Sequence, residues 1–587
     1  MTPMSLLEKL SREVGAAFAS IGLDASYGAV QVSDRPDLAP FQCNGALAAA
    51  KAAKANPRAI AADVEKALTQ NPNVQSVTLA GPGFINLAPA PALVDASLTE
   101  LAARLSGKPQ PKGETVVIDF GGPNVAKAMH VGHLRSSIIG DCLQRAYRFA
   151  GYNVVSDVHF GDWGKPMGQL ITELKAREPG LPYFDETNKG PFPAQSPVTM
   201  EDLEVLYPAA SAACKADPAR DEAARLATVE LQRGRPGYRA LWKHFLDVSV
   251  AGVKREFASL GVHFDEWKGE SDADPLIAPM LERLKAEGLA VMDEGALVMF
   301  VAEEGDKKPL PPLILVNKDG GANYEVTDLA TIVDRIASHD PALILYVVDH
   351  RQHDHFERVF RAARKGRVAG KAQLEHVGFG TINGTDNKPF KTRAGGVVKL
   401  FDLIEMATAE ALKRIEAEGL AAELAPDAKN RVARQIGIGA MKFADLANHR
   451  LTNYIFDLER FTRFEGKTGP YLQYAAVRMH SLLARAAAEG HKPGAVTLSS
   501  PAENELALAL LRLPDALDET LKRRAPNMLC DFAFNIAQAY SRFYAAHHIL
   551  SETDARVRDS RLGLTRLTLR TLEAVLGLLG IVVPEKM

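Results

Sequence analysis

His130 and His133, spaced as HVGH with Lys127 three positions upstream, are residues whose types suit chemistry on phosphate. An imidazole donates a hydrogen bond to a phosphate oxygen, and an ammonium neutralises charge. The free backbone N–H groups that open a helix also attract anions. Gly132 carries no Cβ, so a flat ring can lie against the backbone there. Together these groups suit a nucleoside triphosphate. Lys388 and Lys391, in KPFKTR, form a second basic group on a glycine-rich loop that also reads as a solvated surface. His350, His353 and His355, with Asp349 and Asp354, are zinc ligands by type, but their run from a strand into a helix makes no clear tetrahedral set. That stretch is read as a solvated turn carrying a few site residues, and no metal is assigned.

The elements that must position these residues follow from periodicity. A β-branched run at 116–118 (VVI) is short enough for a buried strand. The glycines and proline at 121–123 end it. After His130, an amphipathic helix places Leu134, Ile138, Cys142 and Phe149 on roughly one face. A second strand at 154–157 pairs with the first through a right-handed crossover and leads into HFGDWG. Apolar runs at 313–316 and 343–348 are expected in the second half of the same sheet. Open parallel sheets bind ligands at the carboxyl ends of their strands, where these loops would lie.

Residues 1–108 read as a small α/β module, with helices at 6–21, 46–55 and 59–68 and strands at 74–79 and 84–87. A proline-bearing linker follows at 108–113. Residues about 176–300 form an insertion, with a proline-rich surface loop at 179–197 and helices at 201–214, 221–234 and 238–260. From 401 to 587 the chain is almost wholly helical, as in an all-α bundle with Phe532, Phe534 and Phe543 in its core. At 587 residues it is too long for one core, and roughly three to five domains are expected. A net charge of −3 means that any RNA is met by local basic patches rather than a global field. The four cysteines stand singly, which argues for a reducing compartment. No apolar run is long enough to span a membrane, so no membrane partner is expected and the cytoplasm is the expected location.

The run PNVAKAMHVGHLRSSIIGD resembles the HIGH-type signature of class I aminoacyl-tRNA synthetases, in the form seen in arginyl-tRNA synthetases. FQCNGALAAAK, NPRAIA and GPGFINL are similar to that family's N-terminal additional domain, and GKTGPYLQYAAVRMHSLLAR resembles its DALR-type anticodon-binding domain. The resemblance implies a multidomain α/β protein. A Rossmann-type catalytic domain at 114–400 would carry the connective insertion, with the tRNA-contacting module at 1–108 and the all-α anticodon-binding bundle at 401–587. It implies ATP-dependent ligation of L-arginine to tRNA(Arg) through an arginyl-adenylate, with Mg²⁺ assisting, by a chain that is a monomer in the family's usual manner. His130, Gly132, His133, Lys127 and Lys391 would bind ATP, Lys388 and Lys391 standing in a degenerate KMSKS loop. The lysine before HVGH, paired with that degenerate loop, is the feature that points to the arginine branch.

Selecting a guanidinium requires carboxylates that accept its fork of N–H donors. Asp119 and Asp328 are the candidates, with Tyr324 able to hold the group by hydroxyl or ring face. Asn124 would take the α-amino or carboxylate group, and Gln352, in DHRQHDHF, would lie on the pocket floor. Tyr471 and Tyr474, beside Arg478 and a glycine-proline turn, suit stacking on unpaired tRNA bases. The chain departs from the family at Gly122, where serine is common, at Lys165 and Pro166 after GDWG, and at Ala476, where histidine is usual. The competing readings are a class I synthetase for another amino acid and a catalytically inactive RNA-binding paralogue.

Overall fold

The computed structural model describes residues 4–318, 321, 324–384, 388, 390 and 398–587. The chain divides into two compact units, one of residues 1–110 with 464–578 and 582–587, the other of 111–463 with 579–581.

The first unit opens with α1 (Leu6–Ser20), whose start is closed by a capping box between Ser5 and Glu8. An antiparallel sheet follows, built from β1 (Val30–Val32), β2 (Phe41–Cys43), β3 (Val74–Ala80) and β4 (Phe84–Pro89) in the order β1-β2-β4-β3. Helices α2 (Gly45–Ala53) and α3 (Pro57–Leu68) lie between β2 and β3, with Asn56 capping α3 and Pro57 in its first turn. Helix α4 (Pro91–Ser106) ends this module.

In the second unit β5 (Thr115–Phe120) leads to α5 (Val131–Phe149), β6 (Asn153–Asp157) and α6 (Lys165–Arg177). The insertion supplies α7 (Met200–Ala216), α8 (Pro218–Gln232) and α9 (Pro236–Ser259), close to the expected spans. Then come α10 (Glu270–Ala286), β7 (Val291–Asp293), β8 (Ala296–Met299), β9 (Leu313–Val316), α11 (Tyr324–His339), β10 (Leu343–Val347), α12 (His353–Lys365) and β11 (Gln373–His376). The parallel sheet has the order β11-β10-β5-β6. From β5 the chain steps outward to β6 and later returns on the other side with β10 and β11. The order therefore reverses between β5 and β10, and the crevice outside their carboxyl ends is where such sheets bind ligands.

One expected strand lies elsewhere. Residues 313–316 do not join the parallel sheet; β9 pairs antiparallel with β8 in a separate three-stranded sheet, β7-β8-β9. A short apolar run announces burial but not its partner, and β8 and β9 meet through Leu297 and Val298 against Val316 and Ile314.

Helix α5 is buried well beyond the expected apolar face, with Arg135, Ser136, Ser137, Asp141 and Gln144 all enclosed. Each has a partner, as burial demands. Ser136 Oγ donates to the carbonyl of Val347 at the end of β10 (2.6 Å) and accepts from the N–H of Gly121 (2.8 Å). Arg135 pairs with Asp445 at 3.1 Å. Asp445 lies on α14 (Pro426–Leu446), which follows α13 (Leu400–Ala417) and precedes the short α15 (Leu458–Phe461). The expected boundary at 400 thus falls inside the second unit, where α13 and α14 pack on α5.

The rest of the first unit is helical: α16 (Gly469–Ala488), α17 (Pro501–Leu510), α18 (Leu513–Arg523), α19 (Asn527–Ala546) and α20 (Ala555–Leu578). Phe532 and Phe543 are buried there, and Phe534 is half-buried against Tyr471. Helix α4 packs on α17 and α20, with Arg570 donating to Ser106 Oγ (2.8 Å). All four cysteines are buried thiols. Among the described residues no helix is long and apolar enough to cross a membrane.

Candidate active site

The loop leaving β5 turns through Gly121 and Gly122, both with positive φ (89° and 45°). A Cβ at Gly121 would stand 2.8 Å from the ring of Phe257, so glycine is required there by space as well as by backbone. At Gly122 a serine would have room, but its backbone would be strained. Asn124 is exposed and stands against the HFGDWG loop, opposite Gly161.

His130 caps α5. Its Nδ1 accepts from the N–H of Gly132 (3.0 Å), while the Nδ1 of His133 accepts from the N–H of His130 (3.1 Å). The rings lie 4.0 Å apart. Burial holds the pKa of His133 down to about 3, helped by His130, and burial with the Lys127 charge lowers His130. Both imidazoles are therefore neutral at pH 7. A neutral ring whose Nδ1 accepts carries its proton on Nε2, so each presents one Nε2–H donor. The flat ring for which Gly132 makes room is that of His130: a Cβ at 132 would come within 2.7 Å of His130 Cε1.

Lys127 Nζ lies over the ring of Tyr207, 4.5 Å from its centre. Lys388 stands at a turn where its carbonyl accepts from Gly384 N–H (2.7 Å). Lys391 lies outside the described residues. At 398–400, Val131 N–H donates to Val398 O and Leu400 N–H to Met129 O, each 3.0 Å.

Across the crevice, α10 and α11 bring acidic groups together, and α12 supplies bases that pair with them. Asp328 accepts from His355 Nε2 at 2.6 Å, and Glu325 pairs with Arg358 at 2.7 Å. Burial works against a charge on His355, but Asp328 and Glu325 outweigh it and raise its pKa to about 9. The exposed ring of Tyr324 lies 5.1 Å from that of His355. Gln352 is exposed on the single turn before α12.

Asp119 differs from the expected open acceptor. Its Oδ2 already takes a guanidinium from within the chain, Arg335 of α11, at 2.7 Å, and the same Nη2 donates to Asp157 (2.7 Å). Burial raises the pKa of Asp119, partly offset by Arg335. At Asp157 burial acts the same way, but Arg335 and His159 outweigh it. Asp119 is thus a buried anchor, and Asp328 is the more open of the two carboxylates.

Glu270, opening α10, escaped the sequence reading. Its carboxyl is pushed up to about 7, chiefly by burial and further by Asp162 and Asp328, with His159 opposing. It is a carboxylate within electrostatic reach of Asp328, and its only sequence signal was a glutamate in WKGESD.

The departures have local causes. Lys165 pairs with Asp221 of the insertion (2.7 Å), and Pro166 sits in the first turn of α6, where no N–H is needed. Ala476 is fully buried in α16. In the other unit Tyr471 and Tyr474 lie on α16 itself, with Gly469 and Pro470 opening the helix. Arg478 lies 5.7 Å from the Tyr474 ring and 5.4 Å from Tyr544, which sequence reading also missed. Tyr471 accepts from Gln538 at 3.0 Å.

Residues 97–458 match the family described as tRNA synthetases class I (R), catalytic domain. Residues 5–88 match the arginyl tRNA synthetase N terminal domain, and 472–587 the DALR anticodon binding domain. The chain is 55% identical to an arginine–tRNA ligase of Maricaulis maris, over 99% of this chain and 100% of that one. Its identity to an arginine–tRNA ligase of Hyphomonas neptunium is 52%, with the same coverage. The fold is similar to the solved arginyl-tRNA synthetase of Plasmodium falciparum, with a TM-score of 0.81 at 24% identity over 100% of both chains.

Proposed function

The chain belongs to the arginyl-tRNA synthetases of class I and ligates L-arginine to tRNA(Arg) with ATP; we propose which of its residues carry each part of that reaction. His130 and His133 direct their Nε2–H donors at the α-phosphate, while Lys127, Lys388 and Lys391 neutralise the β,γ end. The guanidinium of arginine lies between Asp328 and Glu270 under Tyr324, with Asp119 beneath the pocket. Asn124 and Gln352 hold the α-amino and carboxylate end.

An oxygen of the arginine carboxylate attacks the α-phosphorus, and the bond to the pyrophosphate oxygen breaks. Arginyl-adenylate forms and pyrophosphate leaves with the electron pair. The terminal 2′-hydroxyl of the tRNA then attacks the carbonyl carbon and loses its proton as AMP departs. No covalent bond to the protein is required, so positioning and charge neutralisation carry the catalysis. A pocket lined by carboxylates favours a cation over uncharged analogues, which add no ion pair to Asp328 or Glu270.

Mg²⁺ accompanies ATP in this reading, held mainly by the phosphates and water, and no step is routed through it. Tyr471, Tyr474 and Arg478 stack on unpaired bases of the tRNA, which the 1–108 module and the helices from 464 onward hold for the catalytic unit. The chain works as a cytoplasmic monomer.

The observation that carries the assignment of roles is the pair of neutral histidines at the start of α5, each with Nδ1 occupied by backbone. The test is ATP–pyrophosphate exchange dependent on arginine, run with and without tRNA(Arg), with lysine as control. Exchange with arginine and not lysine is expected. None from folded protein in either condition would leave the inactive RNA-binding paralogue.

A further inference from the structure

We propose that Tyr207 and Glu204, on helix α7 of the insertion, are positioning residues for the ATP site. Tyr207 holds the ammonium of Lys127, and Glu204 holds the segment that backs His130. The inference rests on the reading of Lys127 as a phosphate-binding group.

Lys127 Nζ sits 4.5 Å from the centre of the Tyr207 ring, inside the range of a cation–π contact. Three residues earlier, on the same helix face, the Glu204 carboxylate accepts from Lys399 Nζ at 2.6 Å. Lys399 is opposite His130, and its neighbours Val398 and Leu400 hydrogen-bond to Val131 and Met129. Behind them Met129 N–H donates to Glu256 Oε2 of α9 (3.1 Å). That carboxyl is pushed up to about 7, mainly by burial, with Glu204 adding and Lys399 opposing. One face of α7 therefore touches both the lysine expected on the phosphates and the segment that fixes the first histidine.

The choice of an aromatic partner has a physical logic. A lysine free in water samples many rotamers and loses that freedom on meeting a phosphate. A ring that already holds the ammonium near the site reduces the loss. A carboxylate at 207 would compete with the nucleotide for the charge, whereas a neutral π face keeps one side of the ammonium while its N–H groups turn to a phosphate.

The test compares Tyr207→Leu, which keeps apolar contact with the insertion core, with Tyr207→Phe, which keeps the ring. Tyr207→Leu is expected to raise KM for ATP about fivefold, the weight of one partly exposed cation–π contact. It should leave KM for arginine and kcat as they are, while Tyr207→Phe returns KM for ATP to the wild-type value. In a Lys127→Ala background the difference between tyrosine and leucine at 207 should vanish. Glu204→Gln should raise KM for ATP in the same sense. Equal KM for ATP in wild type and Tyr207→Leu would overturn the proposal, as would a leucine effect that persists without Lys127. Calorimetric binding of ATP to the same variants reads the brace apart from turnover, so a wild type that binds ATP through Tyr207 yet shows no exchange overturns the enzyme reading instead.

Discussion

The two sides of the crevice treat the same residue type in opposite ways. At the start of α5 two histidines are kept neutral, His133 down to about pKa 3 and His130 lowered as well. Across from them His355 is raised to about 9. The first pair is half-buried beside Lys127, with backbone N–H groups on its ring nitrogens. His355 is half-buried too, but it stands between Asp328 and Glu325. An imidazole's charge is set by what faces it, not by burial alone. The nucleotide side thereby offers fixed donors whose charge need not change, while the amino-acid side concentrates carboxylates for a cation.

The largest break of this contrast is expected from Asp328→Asn, which removes the open carboxylate and leaves His355 with Glu325. Loss of one partner in an enclosed charge pair should lower kcat/KM for arginine about a hundredfold or more. KM for ATP should stay unchanged, as read by exchange at varied arginine and ATP. On the opposite side, His133→Ala removes one neutral donor and should cut kcat about a hundredfold, with KM for arginine nearly kept. Gly132→Ala forces a methyl to within 2.7 Å of His130 Cε1 and should turn that ring away from its cap. A fall of about tenfold in kcat is expected, smaller than the loss of a donor, with arginine binding by calorimetry unaffected.

The smallest effect sharpens the contrast through pH. His355 has a folded pKa above its unfolded value, so its contribution is complete below about pH 6.5 and fades as the pH rises through about 9. The gap in melting temperature between wild type and His355→Gln should narrow from pH 6 to pH 10. His133 runs the other way. It costs nothing above about pH 6.5 and destabilises as the pH falls toward 3, because the unfolded chain takes a proton that the folded one refuses. Replacing His133 by Asn should flatten the acid side of the stability curve. A gap for His355→Gln that widens with pH would reverse the assignment.

This contrast also marks what could be read in advance. The phosphate side is local: Lys127, His130 and His133 fall within seven positions, between a strand and a helix whose periods are plain. The carboxylate side is assembled from residues 270, 328 and 355 on three helices, and a lone Glu270 carries no pattern of its own. Arg335 lies 216 positions from Asp119, so nothing nearby announces that this carboxylate already holds a guanidinium. The polar residues of α5 lie outside the apolar face that its period marks; that Ser136 ties Gly121 to Val347 depends on the sheet beneath it. The strand at 313–316 was visible as a strand, but its neighbour is a matter of topology.

The burial of all four thiols has a practical side. Burial raises the pKa of both Cys43 and Cys142, which further dulls them toward alkylating reagents. A single cysteine introduced at an exposed position would therefore be the favoured target of a maleimide dye in the folded protein. Val205, 62% exposed and flanked by Glu204 and the turn that carries Tyr207, is such a position. A fluorophore there would report optically, in the otherwise unlabelled chain, on whether nucleotide changes the surroundings of Lys127 and Tyr207.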